Sequence, residues 1–215
     1  MKKIMKKSYY KIPNMIAVSV QDYLYEIGRA WSGQGVAIEL GSWCGGSSVP
    51  LLTGLVEAGY DRPFYAYDRW KTNVEEVGKL KKYEIQAEVG QDLLPIFERN
   101  VRAVYNNIVA VKGRIENEIG RYSGDRIEIC IFDAPKKNPV FSKAVEVLSP
   151  YWIPGVTILG LLDYNFYLKF KGGKRENFKA PVQFMEQYGD HFEQLKSFWP
   201  NTSCVFFRYL KPLSK

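Results

Sequence analysis

The stretch Gly35-Val-Ala-Ile-Glu-Leu-Gly-Ser-Trp-Cys-Gly-Gly-Ser-Ser48 decides how the rest of the chain is read. Its first half, residues 36–40, is β-branched and apolar and has the make-up of a buried strand. Gly41, Gly45 and Gly46 then form a turn, and Ser47 and Ser48 offer N-cap chemistry to a helix whose first turn holds Pro50. A strand, a glycine-rich turn and a helix N-terminus together present backbone N–H groups and a helix dipole to a polar ligand. Glu39 is read as standing at the strand's end, inside that turn.

Working outward, the same alternation repeats. Upstream, Pro13-Asn14 offers a start for a helix carrying Val20, Leu24, Ile27 and Trp31 at helical spacing. Downstream, an apolar helix over 47–58 stops at Gly59. Strands are expected over 63–68, 107–112, 126–133 and 155–163, with helices between them, one striped by Leu93, Leu94, Phe97, Val101 and Val104. Residues 69–90 are polar and weakly periodic, which suggests a flap or an inserted short helix. Residues 164–180 form a second substrate-side loop.

Four of these strands end in an acid: Glu39, Asp68, Asp133 and Asp163. For any one of them, capping the next helix is the plainer role. Apolar strands alternating with helices make a parallel α/β sheet covered on both faces, and such sheets bind ligands beyond the strands' carboxyl ends. The four acids are therefore expected in one site. Residues 192–199 and 203–210, joined by Pro200-Asn-Thr, predict an antiparallel hairpin. The expected architecture is a Rossmann-like α/β domain over 13–215, with a seven-stranded, mostly parallel sheet finished by that hairpin. A basic tail, 1–12, precedes it.

The chain has 215 residues, 46% hydrophobic and 15% aromatic, which suits a globular core rather than disorder. Its net charge is +7, with Lys2, Lys3, Lys6, Lys7, Lys11 and Lys215 in the two tails and a second basic run from Lys169 to Lys179. Such charge admits a nucleic-acid partner, although solvated loops and tails explain it more simply. Cys44, Cys130 and Cys204 are too far apart in sequence to suggest a disulfide framework or zinc cluster. No membrane-length apolar run or signal peptide is visible, so a cytoplasmic protein is expected.

The order Glu39-x-Gly41-x-x-x-Gly45, Asp68, Asp133 and a late hairpin resembles class I S-adenosylmethionine-dependent methyltransferases. Within them, residues 39–47 look like the first motif of macrocin-type sugar O-methyltransferases. Asp133-Ala-Pro-Lys-Lys-Asn138 and Leu162-Asp-Tyr-Asn165 are similar to segments of the catechol and caffeoyl-CoA type. The resemblance implies that the cofactor lies over Gly41, Ser42, Trp43, Gly45 and Ser47, near Glu39 and Asp133. It makes Asp68 the ribose acceptor and sets Arg114 and Glu116 beside the adenine. It further implies Asp133, Lys136 and Asp163 as catalytic groups, Lys136 as the proton acceptor, and Asp133, Asp163 and Asn165 as ligands for Mg2+.

The sequence departs from both groups. Pro135 stands where the sugar-type relatives have a second acid, Leu162 precedes Asp163 where they have paired acids, and Tyr164 separates Asp163 from Asn165. His191, the lone histidine, opens the hairpin away from the strand ends and is read as structural. The expected activity is O-methylation of a small-molecule hydroxyl, most readily on a sugar or glycan. A nucleic-acid-binding or RNA-modifying relative is the alternative, and a homodimer is left open. A nicotinamide-type fingerprint is absent, because Trp43 replaces its second glycine.

Overall fold

The computed structural model describes residues 9–213; Lys2, Lys3, Lys6, Lys7 and Lys215 of the basic tails lie outside them. The first elements are helix α1 (Val18–Arg29), strand β1 (Val36–Leu40), helix α2 (Ser48–Glu57) and strand β2 (Phe64–Asp68). Helices α3 (Val74–Leu80) and α4 (Leu94–Arg102) lead to β3 (Ile108–Lys112), and the short α5 (Ile115–Glu118) to β4 (Ile127–Phe132). Helix α6 (Val140–Leu148) precedes β5 (Ile158–Leu161). Three helices follow, α7 (Phe166–Lys169), α8 (Gly172–Glu176) and α9 (Lys179–Tyr188), and then β6 (Phe192–Ser197) and β7 (Val205–Tyr209).

The seven strands form one sheet in the order β3-β2-β1-β4-β5-β7-β6. The first five run parallel, and β7 is antiparallel to both of its neighbours. The predicted sheet and hairpin are thus present, with the chain's last strand lodged between β5 and β6.

Strand alternation divides the core in two. Ala37, Phe64, Ala66, Ile129 and Ile131 face the layer built on α1, α2 and α4. Ile38, Leu40, Cys130, Phe132 and Leu159 face the layer of α5, α6 and α9. Trp70, Phe64, Phe97 and Phe206 are fully buried, and side chains of this size contribute roughly 1.5–3 kcal/mol each on burial.

Two boundaries differ from the sequence expectation, and one open alternative is decided. Helix α1 starts at Val18, since Asn14 turns its side-chain amide back to Ile12 O (3.0 Å) and packs against Gly46 instead of opening a helix. The fifth strand is only Ile158–Leu161, because Ile153 to Val156 form a turn closed by Thr157 Oγ1, which accepts from Ile153 N (2.6 Å). The charged stretch after Asp68 does hold a helix, α3. It begins with a capping box in which Asn73 Oδ1 accepts from Glu76 N (2.9 Å) and Glu76 Oε2 accepts from Asn73 N (2.7 Å).

Candidate functional site

Beyond the carboxyl ends of β1, β2, β4 and β5 lies a cleft of about 620 Å³. The backbone ladder runs on past the strands here. Gly41 N donates to Tyr67 O (2.7 Å), Asp133 N and Ala134 N both donate to Leu40 O, and Leu162 N donates to Phe132 O (3.0 Å). These bonds bring Asp68, Asp133 and Asp163 to one wall together with Gly41 and Trp43.

The turn after β1 is shaped by contacts within the protein. Gly41 has φ +101°, and a Cβ there would lie 2.6 Å from Ala134 N. At Gly45, φ +90°, an added Cβ would lie 3.2 Å from Val101 Cγ1 of α4. The glycines are therefore required by the packing of the turn on its own neighbours, where the sequence suggested room for a ligand. Ser42, Gly45 and Ser47 are buried beneath the cleft, and of the turn only Gly41 and Trp43 line it.

Asp68 is held firmly. Its Oδ2 accepts from Trp43 N (3.0 Å) and its Oδ1 from Trp70 N (2.6 Å), while Trp70 Nε1 donates to Trp43 O (2.8 Å). Both tryptophans adopt left-handed backbone, φ 43° and φ 42°. Each such residue costs on the order of 1–3 kcal/mol and persists only where its surroundings over-determine it. Trp70 is buried against Phe97, ring centroids 4.8 Å apart, which supplies that constraint. Burial raises the Asp68 carboxyl above its ordinary pKa, against the pull of its two backbone N–H bonds.

Glu39 lies inside β1 and not in the turn. It shares the Ala37 face and points at α2, where Ser48 Oγ donates to its Oε2. Ser47 precedes α2 without making a side-chain cap bond. The predicted N-cap serines therefore serve Glu39 instead. The carboxyl is completely buried, its Oε1 has no hydrogen-bond partner, and burial raises its pKa against the nearby Ser47, Ser48 and Ser42 hydroxyls.

The other half of the cleft holds Asp133, Lys136 and Asp163. Lys136 Nζ is ion-paired with Asp163 Oδ2, their side chains 38% and 15% exposed. Burial alone would lower the lysine's pKa, but Asp163 and Asp133 outweigh it and hold the ammonium above its usual value. Burial and the neighbouring Asp163 charge push the Asp133 carboxyl up. The carboxylate neighbours thus favour the charged form of Lys136, the residue that the resemblance makes the proton acceptor.

The donor set does not fit a resident magnesium ion. Such a site needs oxygen lone pairs facing an open centre, and here the Lys136 ammonium is paired with one of the two carboxylates. Asn165 does not line the cleft. Its Nδ2 is buried without a partner, and its backbone N–H donates to Ser203 O (2.9 Å). Among the described residues, no three His, Cys, Asp or Glu side chains are grouped to hold a metal.

Arg114 and Glu116 pair with each other (3.4 Å), Arg114 with its side chain 78% exposed, and neither lines the cleft. His191 sits at the start of β6, at the opposite end of the sheet, with Nδ1 3.2 Å from Lys211 O. Tyr164 packs on Phe207, and Tyr167 lies under Arg175.

Sequence reasoning missed two walls of the cleft and outlined a third only as a segment. Met15, Ile16 and Ala17 form one, and Trp199 to Cys204 at the hairpin tip form another. Phe166, Phe170 and Phe178 form the third, and all three fall in the 164–180 segment expected on the substrate side. Phe166 and Phe170 stand four apart, a spacing that places two rings together on one turn of chain.

No protein-family model and no curated protein matches the chain. Solved structures do. NovP, an O-methyltransferase, matches with a TM-score of 0.66 over 93% of this chain and 83% of that one, at 14% identity. TomG from Streptomyces achromogenes, an O-methyltransferase solved with S-adenosylmethionine, gives 0.57 over 98% and 88%, at 12% identity. CalS11, a TDP-rhamnose 3'-O-methyltransferase, gives 0.53 over 87% and 76%, at 17% identity. The fold is that of class I S-adenosylmethionine-dependent methyltransferases.

Proposed function

We propose that the chain is an S-adenosylmethionine-dependent O-methyltransferase acting on a small-molecule hydroxyl, with a sugar or glycan hydroxyl as the favoured acceptor. One observation carries the reading: the glycine turn, Asp68 and the Asp133–Lys136–Asp163 cluster line one cleft. When bound, the cofactor would supply an electrophilic methyl group. Gly41 and Trp43 would flank it, and Asp68 would accept from its ribose hydroxyls.

In-line methyl transfer depends mainly on positioning the acceptor oxygen and relieving it of its proton. Asp133 suits the second task, since a carboxylate with a raised pKa is a stronger base than an ordinary one. Lys136 stays protonated, offsets part of the charge of the two carboxylates and offers N–H donors to the acceptor oxygen. Asp163 fixes the ammonium in place. The Phe166, Phe170 and Phe178 faces suit a sugar ring's apolar side.

The test is thermal unfolding with S-adenosylhomocysteine. At a hundredfold excess over Kd a ligand specific to the native state adds about 2.7 kcal/mol, which gives a rise of several degrees. Absence of any rise at millimolar ligand sinks the reading. The sugar assignment is supported if sugar hydroxyl acceptors accept labelled methyl groups and catechols do not.

A further inference from the structure

The phenyl wall bears charge in a pattern that the methyl-transfer chemistry does not use. Phe166, Phe170 and Phe178 pack as a triangle, with centroids 5.2, 5.3 and 5.4 Å apart. Each ring carries a lysine: Lys169 Nζ lies 5.7 Å from Phe166, Lys174 Nζ 4.0 Å from Phe170 and Lys136 Nζ 6.0 Å from Phe178. All three rings and all three lysines line the cleft.

The lysines are not equivalent. Lys136 is paired with Asp163, Lys79 on the opposite wall with Glu75 (2.7 Å), and Lys179 with Glu176 (3.4 Å). Lys169 and Lys174 form no ion pair among the described residues. The cleft thus has an inner end where carboxylates outnumber the lysine and an outer rim where Lys169 and Lys174 form no ion pair, Lys174 feeling the charge of Glu75, which with Glu76 also lines the cleft. Aromatic faces join the two ends.

We propose that the acceptor is phosphorylated, with a phosphoryl group seated between Lys169 and Lys174 and its ring laid on Phe170 and Phe178, so that a ring hydroxyl reaches Asp133 and Lys136. This rests on the methyltransferase reading above. Lysine binds phosphate as a mobile point charge, and two such ammonium groups on one wall suit a phosphoryl group. The arginine nearest this wall, Arg175, is stacked on Tyr167 (3.9 Å) and does not line the cleft. The ring would displace the lysines from the phenyl faces and leave them free to fold onto the anion.

Calorimetry on the whole chain, first with S-adenosylhomocysteine and then with inorganic pyrophosphate titrated into that complex, tests the proposal. Saturable one-to-one pyrophosphate binding is expected. The double variant Lys169→Gln/Lys174→Gln should weaken it by at least about tenfold, with homocysteine-cofactor affinity unchanged, while Arg175→Gln leaves it within about twofold. Three results each overturn the proposal: no pyrophosphate binding, equal binding by the double variant, or equal weakening by Arg175→Gln, which marks diffuse charge. Uridine diphosphate should displace pyrophosphate. A single-stranded RNA that binds more tightly with length and leaves pyrophosphate in place would assign the rim to a polymer and also overturn it. Failure of S-adenosylhomocysteine to bind counts against the methyltransferase reading alone, because pyrophosphate can be titrated into the free chain.

Discussion

Asp68 and Asp133 stand two strands apart at the same edge of the sheet, yet the protein holds them in opposite ways. Around Asp68 the backbone does the work: two N–H donors from left-handed tryptophans, themselves linked by an indole bond, fix the carboxylate with or without a ligand. Around Asp133 there is little backbone help. The arrangement there is a balance of charges, two carboxylates against one lysine. The β1–β2 half is therefore preorganised, and the β4–β5 half is poised to respond to whatever charge enters.

The largest effect expected from breaking this contrast is at Asp68. Asp68→Ala leaves the Trp43 and Trp70 N–H groups without their acceptor, costs about 2–4 kcal/mol of stability, and weakens S-adenosylhomocysteine binding on the order of a hundredfold. Denaturant unfolding and calorimetry check both. Normal binding by this variant would mean that the half is not organised on Asp68.

Lys136→Met should act differently. It leaves cofactor affinity nearly unchanged but destabilises by about 1–2 kcal/mol, less than a fully buried pair would, since solvent reaches the lysine. The loss should deepen as pH rises and Asp133, its pKa raised, ionises. The variant should also gain magnesium-dependent thermal stabilisation that the parent lacks, because the cation between the carboxylates is gone.

Asp133→Asn sharpens the contrast through pH. The native state raises this carboxyl's pKa, so it binds the proton more tightly than the unfolded chain. Stability from that proton is full below the unfolded value and is lost as pH rises through the folded one. The amide mimics the protonated form. The variant is expected to be more stable than the parent at mildly alkaline pH, by an amount on the order of 1 kcal/mol, and no more stable in acid. Equal stabilisation at both pH values would remove charge as the cause.

The smallest effect belongs to Arg114. Exposed and, among the described residues, paired only with Glu116, it should tolerate Arg114→Ala within about 0.5 kcal/mol and about twofold in S-adenosylhomocysteine affinity. A larger loss of affinity would place the adenine at this corner, as the resemblance implied.

The preorganised half was also the more legible in sequence, for a physical reason. Strands over 36–40 and 63–68 are mostly apolar runs, and Asp68 at the end of the second follows from chain order alone. What sequence did not reveal is that Glu39 belongs to the Ala37 face and so looks at α2, although alternation along β1 carries that information once the strand's limits are known. The responsive half depends on contacts between distant segments. Lys136 meets Asp163 across 27 positions, and Trp199 to Cys204 reach the cleft only because β7 inserts beside β5. No local pattern encodes such meetings. The missed start of α1 is of the same kind, since Asn14 is held by Tyr83 (3.3 Å), 69 positions away.

The position of β7 also bears on how the molecule is made. Synthesis from the N-terminus delivers β5 well before its partner, and until residues 205–209 emerge, the Ile158–Leu161 edge is bare, apolar and able to pair with another chain. The hairpin tip, tied to the β5 exit by Ser203 Oγ to Leu162 O (2.7 Å), arrives in the same late step. A nascent chain can thus assemble its β1–β2 half early, but the wall facing Asp163 is finished only when the last strand docks. Ribosome-stalled or prematurely terminated products are therefore expected to aggregate through β5.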